Sequence, residues 1–445
     1  MTDFIEIHDP IIIDERRVSF PLSFSKKLKK YFLSNVLFFE YEKKIHNEQN
    51  GILYIPAVAS IFTIAWALGA DIFVKRLDKT YLKSLYTVGR ILKDWYPDFS
   101  SSRLFVDDVV SNKFSSTGYG LLFTGGIDST SSYIRHRDKK PHLITLMGEG
   151  ADIQAENKKL VKDITNFSRM EKVKVSFIKT NMESVINRQL LYEEFGLHWW
   201  LNVGYGLMLT SVCAPITQIE DIKTLLIASS GCTESFRYPF GSHPMLDNNI
   251  SWADVNVIHD SYEIARQDKI KIFLKKYIEE TGRQPKIRVC TRQSSENCGQ
   301  CEKCFRTILG LLVGGIDPKK SGFKNFDAKT LDLIRDGFAK NRLVKRDNPI
   351  ERRGQLYIRM AEIFLWQDIQ EHISEEMIDN STIGNFFKWF KNIDIENYSQ
   401  KTNLSLIPHF LFSSLAQTLA PFNSYLPESL RVVNRQLAKT LSKRK

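Results

Sequence analysis

The stretch Gly118-Tyr-Gly-Leu-Leu-Phe-Thr-Gly-Gly-Ile-Asp-Ser-Thr130 decides the fold. Its apolar run, Leu121–Phe123, predicts a short central strand that is buried on both faces of a parallel sheet. Thr124–Gly126 then predicts a turn, and Asp128–Thr130 supplies the residue types that cap a following helix, predicted over Ser131–His136. The stretch therefore predicts a strand, a glycine turn and a helix in succession.

A glycine turn between a strand and a helix N-terminus is a ready anion site. Glycines let backbone N–H groups approach a ligand closely, and the helix end adds a partial positive charge. Asp128 lies where a carboxylate can hold Mg²⁺ between phosphate oxygens. The pattern contains neither G-x-G-x-x-G nor G-x-x-x-x-G-K-[ST], so it differs from the two commoner nucleotide fingerprints.

The composition is that of a folded protein with an excess of positive charge. A chain of 445 residues is long enough for two or three domains. The net charge of +11 permits a polyanionic partner, such as nucleic acid, without requiring one. Six cysteines in a chain of this size do not indicate a disulfide framework, and the N-terminus has no signal-peptide pattern. We therefore expect a cytoplasmic protein.

Changes in pattern along the chain predict three regions. Residues 1–113 mix short strands and helices, which predicts an accessory α+β domain. Residues 114–322 alternate strands with helices, and residues 323–445 are helical and end in a basic tail. Within the first region, Gly51–Ala70 has no charged residue. We favour a buried core helix there over a membrane span, because Pro56 and several small polar residues interrupt it.

The central region predicts a doubly wound parallel α/β sheet. Strands are predicted at His142–Met147, Val173–Lys179, Thr224–Ala228, Val255–Ile258 and Ile287–Val289, with helices between them, one of which is predicted over His198–Ile216. Ligands of such sheets bind beyond the carboxyl ends of the strands. The loops at residues 124–129, 148–152 and 229–238 should therefore converge. Asp152, in the second of these loops, is a candidate ligand of the nucleotide ribose or of the metal ion, or else a helix cap.

A second motif lies near the end of the central region. Cys290, Cys298, Cys301 and Cys304 fall within fifteen residues and include C-x-x-C-x-x-C. Four thiolates at this spacing can close a tetrahedral zinc site that is structural, because no coordination position stays open. An iron–sulfur cluster is the alternative, although the further cysteine and proline of ferredoxin runs do not follow Cys304. Lys303 and Arg306, beside this site, either reach phosphates or offset the thiolate charge.

The two motifs together resemble a known family. T-G-G-x-D-S followed about 160 residues later by C-x(7)-C-G-x-C-x-x-C-x-R is similar to the PP-loop ATP pyrophosphatases, in particular the 7-cyano-7-deazaguanine synthase (QueC-like) family. The resemblance implies a HUP-type, Rossmann-like fold with ATP, Mg²⁺ and Zn²⁺. It covers Gly118 to about Asp317, and the layout looks like diverged members found in bacterial antiviral defence operons. It implies ATP binding by Thr124, Gly125, Gly126, Asp128 and Ser129, catalysis by Asp128 and Ser129, and zinc ligation by the four cysteines. Ile127, Thr130 and Asp152 are further candidate ATP contacts by their position in the sequence.

The region resembling the family's substrate loop departs from its pattern. This chain has Tyr238-Pro-Phe-Gly-Ser where the family has Tyr-Pro-Asp-Cys-Arg, which puts a deazaguanine substrate in doubt. Glu234, Arg237, Tyr238 and His243 remain the candidate substrate contacts. The flanking regions are candidate surfaces for protein partners.

Three classes of function follow. The first is an ATP-dependent ligase that adenylates a carboxylate or carbonyl group, releases pyrophosphate and lets ammonia or an amine attack, giving an amide or nitrile. The second is a tRNA-modifying, thiolation-type PP-loop enzyme, which would need a cluster or a reactive cysteine pair beside ATP. The third is a non-catalytic nucleotide-binding scaffold. The complete T-G-G-x-D-S loop favours the first class over the third.

Overall fold

The computed structural model describes residues 2–45, 50–148, 154–232, 239–290, 296–339, 364–379 and 383–395. The fold is α/β, with a large mixed, mostly parallel sheet. The strands are β1 (Phe4–Ile7), β2 (Ile11–Ile13), β3 (Arg17–Phe24), β4 (Val36–Tyr41), β5 (Asp71–Asp78), β6 (Leu104–Val110), β7 (Gly118–Leu122), β8 (His142–Met147), β9 (Val175–Thr180), β10 (Ile222–Ala228), β11 (Ser251–Trp252) and β12 (Val255–Asp260).

The helices fall mostly between the strands and after the last of them. They are α1 (Ile55–Leu68), α2 (Lys79–Trp95), α3 (Ile127–Arg135), α4 (Gln154–Glu171), α5 (Arg188–Phe195), α6 (Tyr205–Ser211), α7 (Ala214–Ile219), α8 (Pro244–Asp247), α9 (Arg266–Lys269), α10 (Lys276–Thr281), α11 (Glu302–Val313), α12 (Ala328–Ala339), α13 (helical residues 364–371), α14 (Glu375–Asp379) and α15 (Gly384–Asn392). A π turn, Ile270–Lys275, joins α9 to α10 without a break.

Five parallel strands form the half of the sheet that contains the glycine turn. Their order across the sheet is β9-β8-β7-β10-β12, so the chain lays down β7, β8 and β9 in one direction and then returns to add β10 and β12 on the other side of β7. The strand order thus reverses between β7 and β10. In open parallel sheets, ligands bind at such a reversal, beyond the carboxyl ends of the strands.

The strands of residues 1–113 continue this sheet. β4 pairs antiparallel with β9, and β3, β1, β5 and β6 follow outward from β4. One hydrophobic core also runs through both regions, from Ile5 near the N-terminus to Val257 in β12. Residues on both sides of position 113 therefore share a sheet and a core, and the domain division stays a prediction.

Helix α1 is the apolar segment that raised the question of a membrane span. All residues from Ile55 to Ala67 are buried, as predicted for a core helix. Pro56 lies in the first turn, where a missing N–H costs nothing, and Gly69 ends the helix at φ 70°. Among the described residues, no helix is both long enough and apolar enough to cross a membrane.

Two predicted elements differ from the structure. The helix predicted over His198–Ile216 is helical but interrupted, because the chain turns at Val212–Cys213 before α7 starts at Ala214 with Pro215 in its first turn. The strand predicted at Ile287–Val289 is not part of the sheet. Instead, the N–H of Arg288 donates to the carbonyl of Gly125, with an N–O distance of 2.7 Å.

The described part of the C-terminal region is helical, as predicted. Helices α12, α13 and α15 pack on α11 through a hydrophobic cluster, rich in aromatic side chains, that includes Phe305, Leu309, Trp366 and Phe387. The predicted helix at Arg352–Ile373 is described only from residue 364, and the basic tail, Leu430–Lys445, lies outside the described residues.

Candidate functional site

The glycine loop leads directly from β7 into α3. Gly125 adopts φ +72°, a left-handed conformation that other residues rarely take, and Gly126 is the N-cap at φ −75°, ψ 170°. Helix α3 begins at Ile127, so Asp128 lies in its first turn. The prediction that Asp128–Thr130 cap the helix from outside was therefore wrong, since the helix starts earlier. The first helical hydrogen bond runs from the N–H of Thr130 to the carbonyl of Gly126, so the N–H groups of the first turn, before Thr130, lack helical partners.

The predicted ATP contacts within residues 124–130 form one compact turn. The Ser129 hydroxyl accepts from the N–H of Thr124 and donates to the carbonyl of Gly126, both at 3.4 Å. Thr124 is exposed, whereas Gly125 and Ser129 are buried. The loop thus has a fixed inner side and an open outer side at Thr124.

Asp128 faces a guanidinium that the sequence did not identify. Arg266 donates to both carboxylate oxygens, with Nε to Oδ1 at 3.3 Å and Nη2 to Oδ2 closer. Burial would raise the pKa of Asp128, but the positive charges of Arg266, Lys269 and Arg306 outweigh it and hold the pKa below its ordinary value. Asp128 is therefore ionised at neutral pH, as a magnesium ligand must be.

Two more cations lie close to Asp128, and both are buried. The Lys269 ammonium donates to the carbonyl of Ser229, just beyond the end of β10, with an Nζ–O distance of 2.8 Å. Burial lowers the pKa of Lys269, although Asp128 opposes this shift. The Arg306 guanidinium lies 2.8 Å from the Glu302 carboxylate, measured from Nε to Oε1. Glu302 thus offsets part of this positive charge, but Arg266, Lys269 and Arg306 still place three cations beside Asp128 and the N-terminus of α3, a setting in which an anion can bind.

Arg266, Lys269 and Arg306 also differ in how far the sequence identified them. Arg306 was predicted either to reach phosphates or to offset thiolate charge, and it lines a cavity of about 10 Å³ together with Ile127 and Arg266. A cavity of that size holds about one water molecule. Arg266 and Lys269 were missed. The available signal was two cations three residues apart at the start of the helix that follows the last parallel strand.

The end of β12 ties α3 to the sheet. Asp260 is buried and accepts hydrogen bonds from Ser132 at 2.5 Å, from Ser261 at 2.8 Å and from His136 at 2.9 Å. Burial raises the pKa of Asp260, but these bonds outweigh burial and lower it overall. Since Asp260 binds the body of α3, it fixes the direction in which the N-terminus of that helix points.

The four predicted cysteine ligands converge on one point. Their Sγ atoms all lie within 4.8 Å of one another, with Cys290 and Cys301 at 4.0 Å and Cys298 and Cys304 at 3.8 Å. Four sulfurs about 2.3 Å from a central zinc ion would be separated by about 3.8 Å, so the set fits a tetrahedral metal. All six cysteines of the chain are free of disulfides. The four-cysteine set can therefore hold a metal ion such as zinc.

The local backbone supports this geometry. Gly299 adopts φ +65° between two ligands, and the N–H of Gln300 donates to Cys298 Sγ at 3.4 Å. Cys301 is the N-cap of α11, and Cys304 lies in the first turn of that helix. A helix N-terminus stabilises thiolates, because its N–H groups and dipole favour negative charge.

The four-cysteine set and the glycine loop share a hydrophobic core. Ile127, the first residue of α3, packs in one hydrophobic cluster with Ile287, Cys304 and Ile308. Asn297 fixes the backbone just before Cys290, because its Oδ1 accepts a hydrogen bond from the N–H of Val289 at 3.1 Å. Since Arg288 also bonds to Gly125, a metal ion in the four-cysteine set would rigidify the back of the glycine loop.

The remaining candidates are His243 and four residues that lie outside the described residues. Asp152, Glu234, Arg237 and Tyr238 belong to the latter group, and their roles stay predictions. His243 is buried and caps α8, accepting from the N–H of Met245 at 2.9 Å, while its ring packs edge-on against Trp95. Its predicted substrate contact also stays a prediction.

Comparison with known proteins identifies no relative. No family model, no curated protein and no solved structure matches this chain.

Proposed function

We propose that the chain is an ATP-dependent ligase that adenylates a carboxylate or carbonyl substrate, releases pyrophosphate and passes the activated group to ammonia or an amine. The observation that carries this proposal is the glycine loop at the reversal of strand order, with Asp128 and three cations beside it. A helix N-terminus, a carboxylate for Mg²⁺ and buried cations are the groups needed to hold a polyphosphate.

The proposed chemistry places demands that these residues can meet. A carboxylate is a poor electrophile, because its leaving group would be an oxide. Attack of the carboxylate on the α-phosphate of ATP gives an acyl-adenylate and pyrophosphate. The amine then forms the amide and releases AMP. The loop N–H groups, with Lys269 and Arg306, would stabilise the charge that develops on the departing pyrophosphate.

Asp128 has to change partner in this scheme. Both of its carboxylate oxygens are bonded to Arg266, which leaves little room for a metal ligand bond. A polyphosphate offers Arg266 an alternative bidentate acceptor, since guanidinium groups bind phosphate and carboxylate in the same fork geometry. Mg²⁺, once held by Asp128, would neutralise phosphate charge. We therefore expect ATP and Mg²⁺ to bind together more tightly than either binds alone.

The four-cysteine set is proposed to hold zinc in a structural role. It is closed and lies behind the loop rather than at its exposed side. The identity of the activated substrate follows from the resemblance alone, and a diverged substrate loop leaves a deazaguanine, another small molecule or a protein terminus as the candidates.

The test is pyrophosphate release from MgATP by purified protein. The additions, made separately, are 7-carboxy-7-deazaguanine with ammonia, bulk tRNA, and the products of adjacent genes. We expect release and AMP formation with one of these additions, and a loss of about a hundredfold or more in Asp128→Asn. Asp138→Asn, at an exposed carboxylate just past the same helix, is the matched control and should keep full activity. No AMP with any addition, despite tight ATP binding, would instead indicate a nucleotide-binding scaffold.

A further inference from the structure

Helix α9 begins without a cap from its own segment. Its N-cap residue is Ala265, whose methyl group cannot accept a hydrogen bond. The N–H of Gln267 donates instead to Oδ2 of Asp368 at 2.9 Å. Asp368 lies in α13, so the capping carboxylate comes from a residue 101 positions further along the chain.

The contact between Gln267 and Asp368 is buried, and a second contact between the same helices lies nearer the surface. Gln267 is 2% exposed and Asp368 is 4% exposed. The side-chain amide of Gln267 donates to the carbonyl of Gly310 in α11 at 2.8 Å. Outside this contact, His372 Nε2 lies 3.2 Å from Asp268 Oδ1. The C-terminal helices are thereby tied to the first turn of α9 at two points.

The same turn of α9 presents the two cations that the sequence missed. Arg266 bonds to Asp128, and Lys269 lies one turn further on. Arg266, Asp368 and Ile127 line the same small cavity. A shift of the α9 start would therefore move Arg266 and Lys269 relative to the glycine loop.

We propose that Asp368 is a positioning residue through which the C-terminal helices hold Arg266 and Lys269 at the glycine loop and so set its affinity for ATP. The identity of the ligand rests on the proposed function. The coupling between α13 and the loop does not, because it follows from the contacts alone.

The experiment compares ATP affinity, by calorimetry with Mg²⁺, and hydrogen exchange of amides 124–130 and 266–269 in four variants. Asp368→Ala removes the cap and should weaken ATP binding about five- to tenfold and speed exchange in both segments. Asp368→Asn keeps an acceptor oxygen and should stay within about twofold of the wild type. Ala265→Ser combined with Asp368→Ala gives α9 a local cap and should restore most of the affinity. Asp379→Ala, at an exposed residue of α14, is the control and should change nothing.

Each outcome decides a different statement. If the wild type binds ATP but Asp368→Ala neither weakens binding nor speeds exchange, the coupling is wrong and the proposed function stands. If the wild type does not bind ATP, the proposed function fails, and faster exchange at 124–130 in Asp368→Ala alone supports the coupling. A double variant as impaired as the single one would mean that Asp368 acts through general packing, which also overturns the inference. If Asp368→Ala does not fold, His372→Gln replaces it, and unchanged affinity and exchange there would be contrary to the proposal.

Discussion

Two carboxylates at opposite ends of the parallel strands, Glu220 and Asp128, have different surroundings. At the amino ends, Glu220 lies 3.2 Å from Lys43, 3.1 Å from Lys174 and 3.4 Å from His142. Both lysines are mostly exposed and reach inward from the surface. At the carboxyl ends, Asp128 faces cations that are themselves largely buried, beside a loop with a left-handed glycine.

The difference separates a structural charge cluster from a candidate binding site. Glu220 contacts two lysines and His142, and these contacts join the amino ends of β8, β9 and β10. Exposed lysines give up little solvation to pair with it. Buried cations are more costly, and loop N–H groups at a helix start add further unsatisfied donors. The carboxyl ends of these strands therefore combine largely buried cations with the N-terminus of α3, whereas Glu220 follows the C-terminus of α7. A cluster of charges alone would not have distinguished the two ends.

Removing the metal ion from the four-cysteine set should have the largest effect on stability. This effect should act on the site at the carboxyl ends of the parallel strands. We expect Cys298→Ser and Cys304→Ser to lose the bound metal and to destabilise α11 severely, because structural zinc sites supply on the order of 10 kcal/mol of folding free energy. ATP binding should disappear with the metal, since Ile127 packs in the same cluster as Cys304. Metal analysis by mass spectrometry and thermal unfolding are the measurements.

Cys213→Ala is the matched control for the metal variants. Cys213 is fully buried in the main core, and burial raises the pKa of its thiol. This variant should lose some stability but keep one metal ion per chain. Full metal content in Cys304→Ser would contradict the four-cysteine assignment, and a brown, iron-containing wild type would favour a cluster over zinc.

The charge cluster of Glu220 and His142, at the amino ends of the parallel strands, should contribute to the pH dependence of the free energy of unfolding. Burial lowers the pKa of His142 to about 4, with Glu220 opposing the shift. Since the unfolded chain binds this proton near pH 6.5 and the folded chain does not, the free energy of unfolding should fall between pH 6.5 and 4, by on the order of 2 kcal/mol. The lowered pKa of Glu220 acts in the same direction, where burial is outweighed by His142 and the two lysines.

His142→Gln isolates this contribution. Denaturant unfolding at a series of pH values should give a flatter profile for the variant from pH 6.5 downward. Its ATP affinity at pH 7.5 should equal that of the wild type. A variant that keeps the full pH slope would mean that His142 is not the group responsible.

The smallest expected effect comes from two glycine substitutions, which distinguish backbone strain from a loss of ATP binding. Gly125→Ala and Gly196→Ala both place a methyl group at φ near +70° with little or nothing in its way, so each should cost about 1 to 2 kcal/mol of stability. Gly196 only ends α5, whereas Gly125 shapes the loop. ATP affinity, measured by calorimetry, should fall in Gly125→Ala alone. Equal affinities in the two variants would count against the loop as the phosphate site.

The parts of the site that are local in sequence could be predicted. The loop over residues 124–130 could be predicted because an apolar strand, two glycines and an acidic residue follow one another in the sequence. The cysteine set was readable because ligand spacing is fixed by the metal. The buried helix α1 was readable from its missing charges and its proline.

The parts that depend on packing between distant segments could not be predicted. The meeting of Arg266 and Lys269 with Asp128 depends on where α9 packs, which follows from the strand order rather than from any local pattern. The capping of α9 by Asp368 is hidden for the same reason. The pairing of β4 with β9 joins two regions that composition separates, because the sequence of a strand does not specify which distant strand lies beside it.

The most direct test of the account is calorimetric titration of MgATP into three proteins at pH 7.5: the wild type, Asp128→Asn and Glu220→Gln. Each substitution removes one of the two carboxylate charges with almost no change in shape. We predict one ATP per chain for the wild type and for Glu220→Gln, which should be less stable but equal in affinity, and binding weakened about tenfold or more in Asp128→Asn. Unchanged affinity in Asp128→Asn, or a loss confined to Glu220→Gln, would contradict the placement of the ATP site at the glycine loop.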